Sequence, residues 1–167
     1  MAEMRKQHPV DALCDLLVDE DLQVSFRDAS ADSRAIPDLI THPLYMVGSD
    51  ALLIGDFPPP SGYGCFPVIL SDIVREERKL SLQDAIRKMT SYPALRVGIL
   101  DRGLIRDGFQ ADLVVFDADE IRAHATVQRP KELSSGVEFV IVNGTVVIDQ
   151  GRHTGALPGR ALKRGER

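Results

Sequence analysis

Apolar and polar residues alternate between helical and strand-like spacing through the first fifty residues. The spacing predicts an amphipathic helix over 10–20, a strand over 22–28, a short helix over 32–42 and a buried strand over 44–49. This order of helices and strands is typical of a parallel α/β sheet. Two strands are too few for such a sheet, so the pattern predicts the closing piece of a larger sheet or barrel.

A second helical stretch follows a loop with three consecutive prolines. From Phe66, apolar residues recur at i, i+3, i+4, i+7 and i+8, which predicts a helix. Ser81 and Asp84 have the spacing of a capping pair and predict the start of the next helix. Pro93 suits the first turn of a third helix, where the missing N–H is not needed. We therefore expect an α/β part over residues 1–103.

The last third of the chain has the pattern of short strands. Strands are predicted over 111–118, 137–142 and 145–150. The last two are separated only by Asn-Gly at 143–144, which favours a type I′ hairpin because both central residues must adopt positive φ. The Gly- and Arg-rich tail is expected to be only partly ordered. Residues 104–167 are thus predicted to form a β part followed by a flexible tail.

Composition excludes several classes of protein. The chain has 167 residues, of which 44% are apolar and 27% charged, as in globular proteins. A net charge of -5 and the absence of Trp argue against a nucleic-acid partner. No apolar run has the length of a membrane span, so no membrane partner is expected. Cys14 and Cys65 are isolated thiols, which favours a reducing, cytoplasmic location.

Asp50 is the residue whose position most favours chemistry. It directly follows the predicted strand 44–49 and opens a long loop, and α/β enzymes place catalytic groups at such strand ends. A Ser-Asp pair at a strand end is also a common turn or cap. Position alone leaves both interpretations open.

Other candidates give weaker signals. The four histidines show neither the i, i+4 nor the H-x-H spacing of a zinc site. Cys65 has no histidine near it in sequence, so we interpret it as a small apolar residue. Asp101-Arg102-Gly103 is most simply a turn with a local charge pair.

Several stretches together resemble one enzyme family. They are, in order, "GSD", "YGCFPVIL", "VREERKLSLQDAIRKMTSYPALRVGILDRGLIRDGFQADLVVFD" and "VNGTVVIDQGRHTGALPGR". This series resembles the C-terminal third of N-acyl-D-amino-acid deacylases, the D-aminoacylases of the amidohydrolase superfamily. The resemblance covers residues from about 10 to 160, and the long central stretch is its most specific part.

The resemblance implies a fold and an activity. It implies the last two βα units of a TIM-like metal-dependent hydrolase barrel over 1–103, with 22–28 and 44–49 as the seventh and eighth strands. Residues 104–167 would be the C-terminal share of a small β-sandwich domain, followed by the tail. The complete enzyme would hydrolyse the amide of an N-acyl-D-amino acid or a related small molecule, with zinc as its cofactor.

The resemblance also implies site residues. Asp50 matches the family's catalytic aspartate and is a candidate zinc ligand, while Ser61 and Tyr63 align with the substrate-binding loop. Two departures matter. The family's other metal ligands precede this chain, and Ser61 stands where the family usually has an arginine that holds the substrate carboxylate. We therefore expect the isolated chain to bind no catalytic zinc and to have no deacylase activity.

Two alternatives stay open. In the first alternative, the chain is a non-catalytic protein, either truncated or completed by a partner. Its exposed strand edges would then favour self-association. A fragment of a cyclic amidase of the hydantoinase or dihydroorotase kind would share the barrel. The stretches "AIRKMTSYPA" and "DRGLIRDG" favour the deacylase branch.

Overall fold

The structure, a computed structural model, describes residues 2–24 and 38–165. The chain divides into two compact units, Met1–Ser33 and Arg34–Arg167. Within the described residues, no helix is both long and apolar enough to cross a membrane.

The first unit contains two helices, α1 (Ala2–Arg5) and α2 (Pro9–Asp19). The second confirms the helix predicted over 10–20. It begins with Pro9 in its first position, and the imidazole Nδ1 of His8 accepts a hydrogen bond from the Val10 N–H at 3.4 Å. Proline at the first position loses no hydrogen bond, which is why the helix starts there.

The second unit begins with a helical region. Its elements are α3 (Ser61–Val68), a π-helical segment (Ile69–Glu76), α4 (Leu82–Met89) and α5 (Ser91–Val97). The Ser81 hydroxyl accepts the Asp84 N–H at 3.1 Å, which confirms the predicted cap. Pro93 lies in the first turn of α5, as expected.

Four strands form one antiparallel sheet in the order β1-β2-β3-β4. They are β1 (Leu113–Phe116), β2 (Val137–Val142), β3 (Thr145–Asp149) and β4 (Arg152–His153). Asn143 and Gly144 connect β2 to β3 with φ values of 48° and 78°, which confirms the predicted hairpin. The short strand β4 was not predicted.

The core of this unit joins its helices to its sheet. The buried cluster consists of Ile40, Ile69, Leu70, Ile73, Ala85 and Ile121. These residues come from the chain before Asp50, the π-helical segment, α4 and the loop after β1. Arg75 strengthens this junction, because its guanidinium donates to the carbonyls of Ala118 (3.0 Å) and Ile121 (2.9 Å).

The predicted strand over 44–49 does not form. Residues 45–50 have no regular secondary structure, and no described strand precedes Leu113. A strand needs a hydrogen-bonded neighbour, and here the Val47 N–H donates instead to the Lys88 carbonyl of α4 at 3.1 Å. Within 22–28, Leu22–Val24 are not in a strand either, and the remaining residues of that prediction lie outside the described chain.

Two predicted helices differ from the structure or lie partly outside the described residues. The helix expected from Phe66 begins earlier, at Ser61, and becomes π-helical at Ile69. Of the short helix expected over 32–42, residues 32–37 lie outside the described chain, and helical structure within the rest is confined to Asp38 and Leu39.

The turn at 101–103 also differs from its prediction. Arg102 is buried, and it does not pair with Asp101. Its guanidinium contacts the Asp112 carboxylate and donates to the Asn143 side-chain oxygen at 2.5 Å. The Asn143 N–H in turn donates to Asp112 at 2.7 Å. This network joins the end of the helical region to the sheet.

Candidate functional site

Asp50 ends the irregular segment that leads out of the core. Its side chain is exposed, and within the described part of the chain its carboxylate has neither a hydrogen bond nor an ion pair. Its φ is +46°, a left-handed conformation that aspartate tolerates better than most residues. The carboxylate is therefore free to contact a ligand, and the backbone that presents it is unusual.

Helix α3 contacts the chain on both sides of Asp50. The Cys65 thiol lies 3.7 Å from the Gly48 carbonyl oxygen. A Cβ on Gly62 would lie 3.6 Å from the Ala51 Cβ and 2.6 Å from a methyl group of Leu53. Gly62 and Cys65 are three residues apart and thus share one face of α3. This face is where the loop containing Asp50 packs.

Lys88 holds the chain that precedes Asp50. It is 2% exposed, and its ammonium donates to the carbonyls of His42 (2.6 Å) and Tyr45 (3.2 Å). Its own carbonyl accepts the Val47 N–H. Burial, followed by repulsion from Arg87, lowers the pKa of Lys88 below its ordinary value.

Ser61 and Tyr63 lie at the beginning of α3, on either side of Gly62. Both side chains are half-buried. The Tyr63 carbonyl accepts a hydrogen bond from the Ser134 hydroxyl at 2.9 Å. Because Gly62 packs against Ala51 and Leu53, the structure brings this turn of α3 to the loop after Asp50. The correspondence of these two residues with a substrate-binding loop stays a prediction.

The described residues do not by themselves fit a zinc site. A catalytic zinc takes three protein ligands, and Asp50 supplies one carboxylate. Among the described residues, no three or more histidine, cysteine, aspartate or glutamate side chains come together in a way that would hold a metal ion. Further ligands would have to come from outside this part of the chain.

The surroundings of Cys65 and His42 favour a structural role for both residues. Burial raises the pKa of the Cys65 thiol, which lowers its thiolate fraction and its value as a nucleophile. The His42 imidazole accepts the Leu44 N–H at 3.2 Å, and the His42 carbonyl accepts from Lys88. Both residues shape the segment before Asp50.

Sequence reasoning missed Lys88. A lysine in an amphipathic helix is normally assigned to the solvated face. The available signal was position, since Lys88 lies three residues after the buried Ala85 and beside Met89. That spacing places the lysine on the apolar face of α4.

Comparison with known sequences identifies the class of protein. The amidohydrolase family profile matches residues 1–148. The chain belongs to the amidohydrolase family.

Relatives that the chain matches include deacylases. The chain is 43% identical over 136 residues to an N-acyl-D-aspartate deacylase of Alcaligenes xylosoxydans xylosoxydans, a match that covers 81% of the chain and 27% of the relative. It is 39% identical over 119 residues to a D-aminoacylase of the same organism, covering 71% and 25%. The chain thus spans about a quarter of the length of these relatives.

Solved structures show the same relationship. A D-aminoacylase mutant with an aspartate replaced by alanine, solved with copper chloride, superposes with a TM-score of 0.77 at 34% identity, covering 80% of this chain and 28% of that one. N-acyl-D-glutamate deacylase from Bordetella bronchiseptica, complexed with zinc and a phosphonate inhibitor, superposes with a TM-score of 0.68 at 37% identity, covering 73% and 27%.

Proposed function

We propose that this chain is the C-terminal part of a zinc-dependent amidohydrolase that cleaves the amide of an N-acyl-D-amino acid. The observation that carries the proposal is the 43% identity to an N-acyl-D-aspartate deacylase over 81% of the chain. The residues 1–103 would be the C-terminal part of the TIM-like barrel, and 104–167 the C-terminal share of a small β-domain with its tail.

Asp50 would be the catalytic residue of this part. An exposed carboxylate without a protein partner can accept a proton from the attacking water and return it to the leaving amine. The contacts of α3 at Gly48 and Ala51 restrict the loop that presents it. Zinc would depend on ligands from outside the described residues, and we expect the isolated chain to be inactive.

The substrate contacts would differ from those of a typical D-aminoacylase. Serine at position 61 has one hydroxyl and cannot form the paired hydrogen bonds that an arginine makes to a carboxylate. If Ser61 and Tyr63 line the site, they would hold the carboxylate of an N-acyl amino acid less tightly than an arginine does, which would raise KM. The proposed substrate class is therefore an N-acyl amino acid or a related amide.

A cyclic amidase is the less favoured assignment. The match to a dihydroorotase of Clostridium acetobutylicum covers 42% of the chain at 38% identity, about half the coverage of the deacylase matches.

A cytoplasmic location agrees with two free cysteines, of which Cys14 is exposed.

A partner-dependent or non-catalytic role is supported by the sheet edge. Strand β1 is an edge strand, and both Val114 and Val115 are about half exposed. Apolar side chains on both faces of an edge strand favour pairing with another chain. If the cell makes the short form alone, self-association through this edge would replace catalysis as its principal property.

A chimera provides the test of the proposed function. This chain would replace the matching C-terminal part of the N-acyl-D-aspartate deacylase, and hydrolysis of N-acyl-D-amino acids would be measured together with zinc content. Asp50→Asn keeps a side chain that tolerates positive φ, so it removes the base without added backbone strain. With zinc added in excess, so that a weakened metal ligand does not limit occupancy, we expect kcat to fall about 100-fold or more.

The matched control is Asp56→Asn. Asp56 lies in the same loop, its side chain is 97% exposed, and it has only a surface contact with Lys131 at 3.6 Å. It should leave kcat unchanged. A chimera that binds zinc but hydrolyses no amide, or whose activity survives Asp50→Asn, would contradict the proposal. The isolated chain should contain no stoichiometric zinc.

A further inference from the structure

Lys88 is a buried charge with an uncommon set of partners. Lysine is rarely fully buried unless it is paired with an acid. The Lys88 ammonium instead donates to two backbone carbonyls, those of His42 and Tyr45. By contrast, the side chains of Lys79 and Lys131 are 37% and 48% exposed and contact carboxylates.

Burial of the Lys88 ammonium by itself lowers the stability of the folded state. Transfer of an ammonium into the protein interior is unfavourable, and an apolar side chain of similar length would fill the space without that cost. The lowered pKa of Lys88 reflects the same desolvation. The two hydrogen bonds from the ammonium fix one specific backbone geometry for residues 42–47.

Lys88 makes the hydrogen bonds that join segment 42–47 to α4, while the His42 N–H donates to the nearby Leu39 carbonyl at 3.0 Å. The segment's internal hydrogen bonds are those of Leu44 and Tyr45 to His42. Its links to α4 are the two from the ammonium and the one from the Val47 N–H to the Lys88 carbonyl. One residue thus contacts the segment at three backbone positions.

We propose that Lys88 is a positioning residue for Asp50. By fixing residues 42–47, it determines where the chain leaves the core and keeps Asp50, three residues further on, in its left-handed conformation beside α3. The catalytic meaning of this placement rests on the proposed function, but the placement itself is a property of this chain and can be measured without catalysis.

The test is NMR spectroscopy of the 167-residue chain. In Lys88→Met, we expect the Asp50 13Cα and 13Cβ shifts to move from left-handed values toward averaged ones. The Val47 amide should exchange at least about tenfold faster because local opening no longer breaks the ammonium hydrogen bonds. Lys88→Arg retains charge and donors and should restore the Asp50 shifts at least in part. Lys79→Met, the control, should leave both readouts unchanged.

A merely structural lysine would give a different result. The Asp50 signals of folded Lys88→Met molecules would then keep their wild-type positions, whatever the change in unfolding temperature, and that result would overturn the proposal. If the variants do not fold, the wild-type chain still decides the question. Its Lys88 ammonium should give a slowly exchanging 15N–1H signal with couplings to the His42 and Tyr45 carbonyls, and absence of these couplings would refute the proposal.

The deacylase chimera separates this inference from the proposed function. There, Lys88→Met should lower kcat more than it raises KM, with zinc content unchanged. A chimera that is inactive even with Lys88 unchanged would count against the proposed function. The NMR result would still decide the role of Lys88.

Discussion

The Ser134 hydroxyl donates a hydrogen bond of 2.9 Å to the Tyr63 carbonyl, 71 residues away in the sequence. In a regular α-helix this carbonyl would accept the N–H of residue 67. That residue is Pro67, which has no N–H and whose ring displaces the carbonyl four residues before it. Ser134 therefore satisfies an acceptor that proline leaves free, and it connects α3 to the chain before β2.

Removal of this hydroxyl should destabilise the second unit. We expect Ser134→Ala to lower the free energy of unfolding by about 1 kcal/mol, since it leaves a partly buried carbonyl without its donor. The cost should be smaller in a Pro67→Ala background, where residue 67 regains an N–H for Tyr63. Urea unfolding of the two single variants and the double variant measures this coupling. Equal costs in both backgrounds would show that Pro67 and Ser134 act independently.

The carboxylate of Asp112 should make stability depend on acid pH. Burial alone would raise its pKa, but the Asn143 N–H and the Arg102 guanidinium stabilise the charged form and hold the pKa below the ordinary value of 3.8. The folded state thus binds this proton less readily than the unfolded state. Its contribution is fully present above about pH 4 and is lost as the pH falls toward the folded-state pKa.

Thermal unfolding between pH 2 and 6 measures this contribution. Asp112→Asn should lose less stability than the wild type over the range below pH 4, because its side chain does not titrate. Asp56→Asn serves as the control and should follow the wild-type curve. Parallel curves for Asp112→Asn and the wild type would contradict the assignment.

Arg102 should be the most sensitive residue of the same network. Its side chain is 8% exposed, and it contacts both Asp112 and Asn143. We expect Arg102→Ala to cost on the order of 3 kcal/mol, toward the low end for breaking a buried pair because Asp112 keeps a third of its side chain exposed. Arg122→Ala, which removes an exposed ion pair with Glu76, should cost less than about 1 kcal/mol in urea unfolding.

Local signals in the sequence were sufficient for much of this fold. The Asn-Gly pair at 143–144 fixes its hairpin because positive φ at both residues leaves few other conformations. The Ser81 cap and the first-turn Pro93 likewise act within a few residues of themselves. Such features can be recognised without knowing the rest of the structure.

Features that depend on distant partners were not predictable in the same way. The run over 44–49 has the composition of a buried strand, but whether it pairs depends on a neighbouring strand, and here it contacts α4 through Lys88. Arg102 was expected to pair with the adjacent Asp101, whereas Asp112 and Asn143 compete for it through the fold. The position of Asp50 was recognised, but its left-handed φ was not.

The edge strand β1 should cause self-association of the isolated chain. We expect the apparent mass in analytical ultracentrifugation to rise with concentration, since the edge presents unpaired backbone groups between exposed valines. Val115→Lys should suppress this rise. Val146→Lys places the same charge at a similarly exposed position on the interior strand β3 and should not. A monomer at all concentrations would exclude association through β1.

The close approach of Gly62 to the loop after Asp50 gives the last prediction. An alanine Cβ at position 62 would lie 2.6 Å from a Leu53 methyl group, so the Leu53 side chain has to move. Because Leu53 is 62% exposed, the movement should cost less than about 1 kcal/mol of stability. Once its side chain has moved, Leu53 no longer holds the loop against α3 in the same way, so we expect kcat of the deacylase chimera to fall although the free energy of unfolding changes little. Gly48→Ala, whose Cβ would meet nothing within 4 Å, is the matched control and should preserve activity. Full activity in Gly62→Ala would show that the contact between α3 and this loop does not position Asp50.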